Sequence, residues 1–253
     1  GAKNGWDQQP PVQLQVRHPG EVFVERYENE WPLARTQWTK FYLEPDGLGL
    51  QREASAAEMN LTYDTNSDGV TFYTPTLNEP LEITGPSACK LFLSSLTNDA
   101  DVFLVLRVFG PHGKEVTFQG ALDPRTPIGQ GWLRASHRKL DPKLTKPYWP
   151  YHTHDEIQLL TPGDVYEVDI EIWPTCIVVP PGYRMGLTVR GKDYQFDGPP
   201  LVIKDAFYPF TGVGPFFHTH PQDRPGEIFE TQNTLHFGKT QRPYLLLPII
   251  PPK

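Results

Sequence analysis

Cysteine is scarce in this sequence, since only Cys89 and Cys176 occur among its 253 residues. Two thiols are too few for the disulfide framework of a small secreted scaffold and too few for a zinc ribbon. Both lie in apolar, strand-like stretches, where a free cysteine behaves as a small hydrophobic residue. The sequence therefore predicts two buried structural thiols.

Long apolar runs and basic runs are also missing. No apolar stretch approaches the ~20 residues of a membrane-spanning helix. A net charge of -7 without a basic cluster argues against nucleic acid as a partner. The opening residues GAKNGWDQQP lack the basic and apolar layout of a signal peptide. We expect neither a nucleic-acid nor a membrane partner; the compartment stays open, with the cytoplasm as the expectation.

Serine is the third scarce residue type, with six in the chain, and none lies in a G-x-S-x-G motif. Gly85-Pro86-Ser87 comes nearest, but Cys89 stands where the second glycine belongs. A nucleophile elbow also needs a strand that runs into a helix, whereas Ser87 enters a strand. Ser136 and His137 are adjacent, so on an extended segment they point to opposite faces. The sequence therefore predicts that this chain alone is no enzyme and carries no cofactor.

Proline, by contrast, is abundant at 28 residues, about twice the ~5% of an average protein. Proline interrupts helices and central strands, so short strands and long loops are expected. Aromatic residues make up 12% of the chain, enough to fill a core. Nothing in this composition indicates disorder.

The clearest strand pattern runs from Val165 to Val189. Apolar Val168, Ile170 and Ile172 alternate with acidic residues, which predicts a strand with one buried and one acidic face. Trp173-Pro174 breaks this ladder, and a second alternating strand follows the turn at 180–182. If the two strands share a sheet, Arg184 and Arg190 of the second would face the acidic residues of the first.

Other strands are indicated along the whole chain. Asp101 to Phe109 is nearly all apolar, as expected for a strand covered on both faces. Roughly ten strands without a long helix predict an all-β protein of two packed sheets. Long crossing loops favour a jelly-roll or Greek-key order over a meander.

Two H-x-H motifs are candidates for a metal site: His152 with His154, and His218 with His220. On a strand this spacing places both imidazoles on one face, as a cupin-like metal enzyme would need. Both motifs lie in proline-rich, loop-like surroundings, where histidines more often bond loop carbonyls. The six tryptophans leave a second alternative open, a carbohydrate-binding module with an aromatic platform.

Five stretches, in this order, resemble the C-terminal domain of cocaine-esterase-like hydrolases, X-Pro dipeptidyl-peptidases and α-amino-acid ester hydrolases. They are WPLARTQWTKFYL (31–43), GWLRASHRKLDP (131–142), the run from the first H-x-H to PGDVYEVDIEIWPT (152–175), PPGYRMGLTV (180–189) and RPYLLLPIIP (242–251). The resemblance implies a jelly-roll β-sandwich similar to galactose-binding modules. It implies that residues 1–16 are a linker from a missing α/β-hydrolase domain and that residues 17–253 form the sandwich.

The resemblance also implies a role for the chain. The triad of the family's hydrolase domain is absent here, so no catalytic residue can be assigned. The sandwich would support that hydrolase domain, its partner, and could contribute to a homo-oligomer. The candidate residues for the domain interface are Trp31, Trp132, Arg134, His137 and Arg138.

Overall fold

Strands dominate the computed structural model, which describes residues 3–55, 58–120, 123–197, 201–203, 206–208, 212 and 217–252. The strands are β1 (Val12–His18), β2 (Val22–Glu28), β3 (Gln37–Glu44), β4 (Gly49–Gln51), β5 (Met59–Asp64), β6 (Val70–Tyr73), β7 (Leu81–Ser95), β8 (Asp101–Phe109), β9 (Gly129–Arg134), β10 (Tyr166–Val179), β11 (Arg184–Arg190), β12 (Leu201–Ile203), β13 (Ala206–Tyr208), β14 (Gln232–Phe237) and β15 (Tyr244–Ile250). One short α-helix of the described residues, α1 (Gly226–Phe229), lies between β13 and β14, and single 3-10 turns span Trp6–Gln8 and Ala135–His137. No helix in the described residues has the length and apolarity to cross a membrane.

Thirteen of these strands form one curled sheet in the order β2-β1-β10-β7-β15-β3-β4-β6-β11-β8-β9, with β14 joining β7 to β5. The curl folds the sheet over a single hydrophobic core that draws side chains from β7, β8, β10, β11 and β15. This is the all-β architecture that the alternating patterns predict. The expected boundary between linker and sandwich, after residue 16, lies within β1, which pairs with β2 and β10.

The inner face of β10 carries the predicted alternation, because Val168, Ile170 and Ile172 are all fully buried. Each such side chain contributes roughly 1.5–3 kcal/mol when removed from water. The ladder with β7 shifts register between Ile172 and Thr175, at the predicted break of Trp173-Pro174. The prediction that β10 is half-buried is therefore confirmed.

The suggested meeting of acidic and basic faces does not occur, because β10 pairs with β1 and β7 while β11 pairs with β6 and β8. The carboxylates of Glu167 and Asp169 are instead paired with Lys90 of β7, at 2.9 Å in the case of Asp169. Arg190 bonds Asp68 at 3.2 Å. Glu167 and Asp169 are thus paired with a residue of the neighbouring strand, and Arg190 is paired with a residue of an adjacent loop.

The two thiols differ in burial. Cys89 is buried in β7, where desolvation raises its pKa. Cys176 of β10 is half-buried, its Sγ lies 3.2 Å from the carbonyl oxygen of Gln15, and desolvation likewise raises its pKa. The prediction of two buried thiols holds fully only for Cys89.

Candidate functional site

A close crossing of β9 over β10 builds the most distinctive surface of the molecule. A Cβ atom added at Gly131 would lie 1.9 Å from the carbonyl oxygen of Glu171, so only glycine lets the two backbones approach this closely. The crossing brings Trp132 next to Trp173, with ring centroids 5.1 Å apart and ring planes 54° apart. Both rings stay largely open to solvent, at 42% and 58% exposed.

These rings line an open cavity of about 410 Å³. We call this region the Trp–His surface, after Trp132, Trp173 and the imidazoles of His137, His152, His154 and His218, all of which line it. The lining also contains Asp101, Arg134, Glu171 and Asp223. Aromatic rings, imidazoles and charged groups therefore converge on one concavity.

An ion-pair network holds one side of the cavity. The Arg134 guanidinium bonds both carboxylate oxygens of Asp101, at 2.9 and 3.0 Å, and Asp223 at 3.2 Å. Hydrogen bonding to Asp101 raises the pKa of Arg134. Arg224 donates to Asp101 at 2.7 Å and to the carbonyl oxygens of His218 and Gly191. The network fixes the loop of residues 218–224 against β8 and β9.

His218 is an oriented imidazole. Its Nδ1 lies 2.9 Å from Oδ1 of the buried carboxylate of Asp193, and its backbone N–H donates to the other oxygen at 2.6 Å. The ring packs against Phe103 and Trp132, with centroids 5.4 Å away in each case. The hydrogen bond to Asp193 raises the pKa of His218. The protonated form is thereby favoured at the cavity wall.

The other three imidazoles of the lining lie close to one another. Nδ1 of His137 is 3.1 Å from Nδ1 of His154, close enough for one proton to be shared between them. The rings of His152 and His154 have centroids 6.0 Å apart. Burial lowers the pKa of His152. The neutral form of His152 is therefore favoured, in contrast to His218.

Glu171 is a half-buried residue whose carboxylate lines the same cavity. Burial raises its pKa, opposed by a hydrogen bond from the Trp149 indole. Among the described residues no cationic side chain is paired with it.

The structure brings three of the five predicted interface residues together, since Trp132, Arg134 and His137 share the Trp–His surface. Arg138 is directed away from the cavity, where it donates to the carbonyl oxygens of Ala135 and Gln158 and lies 4.5 Å from the Tyr166 ring centroid. Trp31 is exposed in the loop after β2 at a cis Trp31–Pro32 peptide, and it does not line this cavity.

The structure does not group the four metal-candidate histidines by their two H-x-H motifs. His152, His154 and His218 line the cavity and His220 does not. Neither motif lies within a strand: His154 has a positive φ of 52°, and His218 bonds Asp193. Within the described part of the chain no group of three or more His, Cys, Asp or Glu side chains is arranged to hold a metal ion.

Glu171, Trp173, Asp101 and Asp223 of the surface were not among the predicted site residues, and neither was Asp193, which orients His218. A signal for the first two existed in the glycines before Trp132, since Gly129 and Gly131 in a strand indicate close approach of another backbone. Asp193 lies in a loop, and nothing in its neighbours along the chain indicates a histidine partner.

No described serine is arranged for acyl transfer. Ser87 is fully buried in β7, and its hydroxyl has no hydrogen-bond partner. Ser94 lies 2.8 Å from Nε2 of His236, a cross-strand contact between β7 and β14. In the described chain no carboxylate bonds this imidazole, and neither side chain lines a cavity described above. The pair therefore lacks the third group that orients a catalytic histidine.

Comparison with known families gives one model that covers most of the chain. Residues 4–246 match the model described as the X-Pro dipeptidyl-peptidase C-terminal non-catalytic domain. The cocaine esterase of Rhodococcus sp. strain MB1 Bresler is 24% identical over 263 residues, covering 89% of this chain and 40% of that protein.

Solved structures show the same fold. A CocE/NonD family hydrolase from Staphylococcus aureus superposes with a TM-score of 0.82 at 21% identity, over 98% of this chain and 43% of that one. An α-amino acid ester hydrolase superposes with a TM-score of 0.59 at 15% identity, over 89% of this chain and 39% of that one. The chain thus spans about two fifths of the length of each of these proteins.

Proposed function

The chain belongs to the family of X-Pro dipeptidyl-peptidase C-terminal non-catalytic domains, and from this premise we propose that it docks on an α/β-hydrolase domain of the same protein. The docked sandwich supports that domain and does no chemistry itself. The docking face is the Trp–His surface. The whole protein would be a serine hydrolase of the esterase or dipeptidyl-peptidase type.

The exposed tryptophan pair is the observation that carries this proposal. Exposed neighbouring indoles in a concave, polar-rimmed surface are typical of the centre of a protein interface, where tryptophan and arginine dominate the binding energy. Arg134 and His137 line the same cavity, and the two rings stay 42% and 58% exposed. The ion pairs of Asp101 hold the rim rigid, so little ordering would be needed on docking.

Mixing the chain with the hydrolase domain encoded ahead of Gly1 tests the docking. We expect a stable complex by size-exclusion chromatography and calorimetry, weakened at least tenfold by Trp132→Ala or Trp173→Ala, as loss of an interface anchor predicts. Leu96→Ala, which alters an exposed side chain outside the cavity, is the matched control. An upstream sequence without a hydrolase domain, or a complex indifferent to both tryptophans, would contradict the proposal.

An esterase assay tests the proposal that the chain alone has no catalytic activity. We expect no turnover of p-nitrophenyl esters by the chain alone, because Ser94 and His236 lack a carboxylate partner. Turnover that disappears in Ser94→Ala and persists in Ser87→Ala would show that the cross-strand pair is catalytic.

A further inference from the structure

Glu171 differs from the other carboxylates that line the Trp–His surface. Asp101 is paired with Arg134 and Arg224, and Asp223 is paired with Arg134. Glu171 is half-buried, and its one described polar contact is the Trp149 indole. Burial of a carboxylate is unfavourable unless a cation or several hydrogen-bond donors compensate it. The described chain supplies no such cation.

The two tryptophans line the same cavity as this carboxylate. Trp173 follows Glu171 by two residues on β10, and Trp132 reaches the same place because Gly131 lies directly on the Glu171 backbone. Their planes meet at 54°, so the lining of one cavity holds two aromatic rings together with a carboxylate. The face of an indole ring attracts cations.

The charge of the cavity points the same way. Three carboxylates line it, those of Asp101, Glu171 and Asp223, against the single guanidinium of Arg134. With neutral histidines the lining has a formal excess of two negative charges, and with His218 protonated an excess of one. A cationic group is therefore the complement of the cavity, and a neutral sugar or an anion is not.

We propose that the cavity receives an arginine side chain of the docking hydrolase domain, with its guanidinium against Trp132 and Trp173 and paired with Glu171. A guanidinium suits the site better than an ammonium because it is planar, stacks on aromatic rings and bonds a carboxylate through two N–H groups at once. The inference deepens the docking proposed above and depends on it for the source of the arginine.

Binding of a free arginine side chain by the 253-residue chain tests the inference. The probe is N-acetyl-L-argininamide, and the matched neutral probe is N-acetyl-L-citrullinamide, which has the same shape without the charge. Indole N–H signals in ¹⁵N-edited NMR spectra report on each tryptophan. We expect saturable shifts of the Trp132 and Trp173 signals with the arginine probe, while Trp6 and Trp38 stay unchanged.

Variants identify the groups that bind the probe. Glu171→Gln should weaken binding about tenfold through loss of a charged hydrogen-bond partner. Trp173→Ala should weaken it severalfold through loss of one aromatic surface. Glu167→Gln, on the same face of β10 but paired with Lys90, is the matched control and should bind like the parent. The far-ultraviolet spectrum and the thermal midpoint of each variant establish that it is folded.

Three results would overturn the inference: no saturable shift, equal binding of the citrulline probe, or unchanged binding by a folded Glu171→Gln variant. Its failure is separable from failure of the docking proposal. If the hydrolase domain docks on the tryptophans but argininamide does not bind, the arginine assignment alone is wrong. If argininamide binds but the hydrolase domain does not dock, the cation site stands and the proposed partner is wrong.

Discussion

The two faces of β10 share one backbone and meet opposite environments. Toward the core, Val168, Ile170 and Ile172 are sealed from water. Toward the outside, Glu167 and Asp169 share Lys90, whereas Glu171 and Trp173 face an open cavity. On the inner face every one of these apolar side chains is buried by the chain itself. On the outer face Glu167 and Asp169 have a cationic partner, and Glu171 has none among the described residues.

The difference shows where stability and recognition lie in this domain. Packing decides the inner face, so a change there should alter folding. Beyond Asp169 the outer face carries Glu171, which no described cation pairs with, and the exposed ring of Trp173. A change there should therefore alter binding and leave folding nearly intact.

The largest effect is expected from emptying the core side of β10. Ile170→Ala removes a fully buried side chain opposite Cys89, and the cavity left behind should lower the free energy of unfolding by roughly 2–5 kcal/mol. Trp173→Ala, on the outer face, should lower it by less than about 1 kcal/mol. Urea denaturation of both variants measures the contrast. Equal losses would mean that Trp173 is part of the core packing.

The crossing of β9 over β10 provides the next largest effect. Gly131→Ala would drive a methyl group into the carbonyl of Glu171, so either the strands separate or the backbone strains, at a cost of roughly 1–3 kcal/mol or more. Separation would also move Trp132 away from Trp173. Gly238→Ala is the control, since its nearest contact would be 3.6 Å. Denaturation and tryptophan fluorescence together measure the change, and a neutral Gly131→Ala would refute the close approach.

Much of the fold was predictable from the sequence, and the resemblance to the family is confirmed. Alternation is a local property, so the buried face of β10 and the apolar β8 could be inferred from neighbours in the chain. The five motifs indicated the family because each retains its own short pattern. The break at Trp173-Pro174 was likewise visible, because proline removes a ladder hydrogen bond wherever it stands.

The candidate site was only partly predictable, because it depends on contacts between distant segments. Trp132 meets Trp173 across some forty positions, and His218 meets Asp193 through a loop. Arg138 illustrates the converse error. Arg138 stands in the same motif as Arg134, yet its guanidinium bonds backbone carbonyls and packs over the Tyr166 ring. Motif membership alone does not tell which side chain faces the cavity.

A smaller effect should follow from separating His218 from its carboxylate. Asp193→Asn replaces the charged acceptor of the His218 hydrogen bond by a neutral amide oxygen, so the pKa of His218 should fall toward the ordinary 6.5, while nearby Asp101 raises it and Arg224 lowers it. Because the folded pKa is raised, the stability from this pair is fully present below the unfolded pKa and is lost as pH rises through the folded pKa.

Proton NMR of the His218 ring and unfolding curves on either side of this window measure both consequences. In Asp193→Asn the pH-dependent loss should disappear, a change below about 1 kcal/mol because the imidazole is partly exposed. An unchanged pKa of His218 would show that Asp193 does not set its charge.

The smallest effect compares two glutamates on one face of β10. Glu167→Gln weakens a surface ion pair with Lys90 and should cost roughly 0.5 kcal/mol. Glu171→Gln should be neutral or slightly stabilising in the chain alone, because it removes a partly desolvated carboxylate that no cation among the described residues pairs with. Since burial raises the pKa of Glu171, its unfavourable contribution is absent below the unfolded pKa, grows as pH rises toward the raised folded pKa and is complete above it, where the variant should gain most. Urea denaturation across this pH range measures both variants.

A marked destabilisation by Glu171→Gln would mean that groups within the chain already stabilise the Glu171 carboxylate. The argument for a cation from a partner would then fail, and Glu171 would resemble Glu167, whose charge Lys90 pairs within the chain.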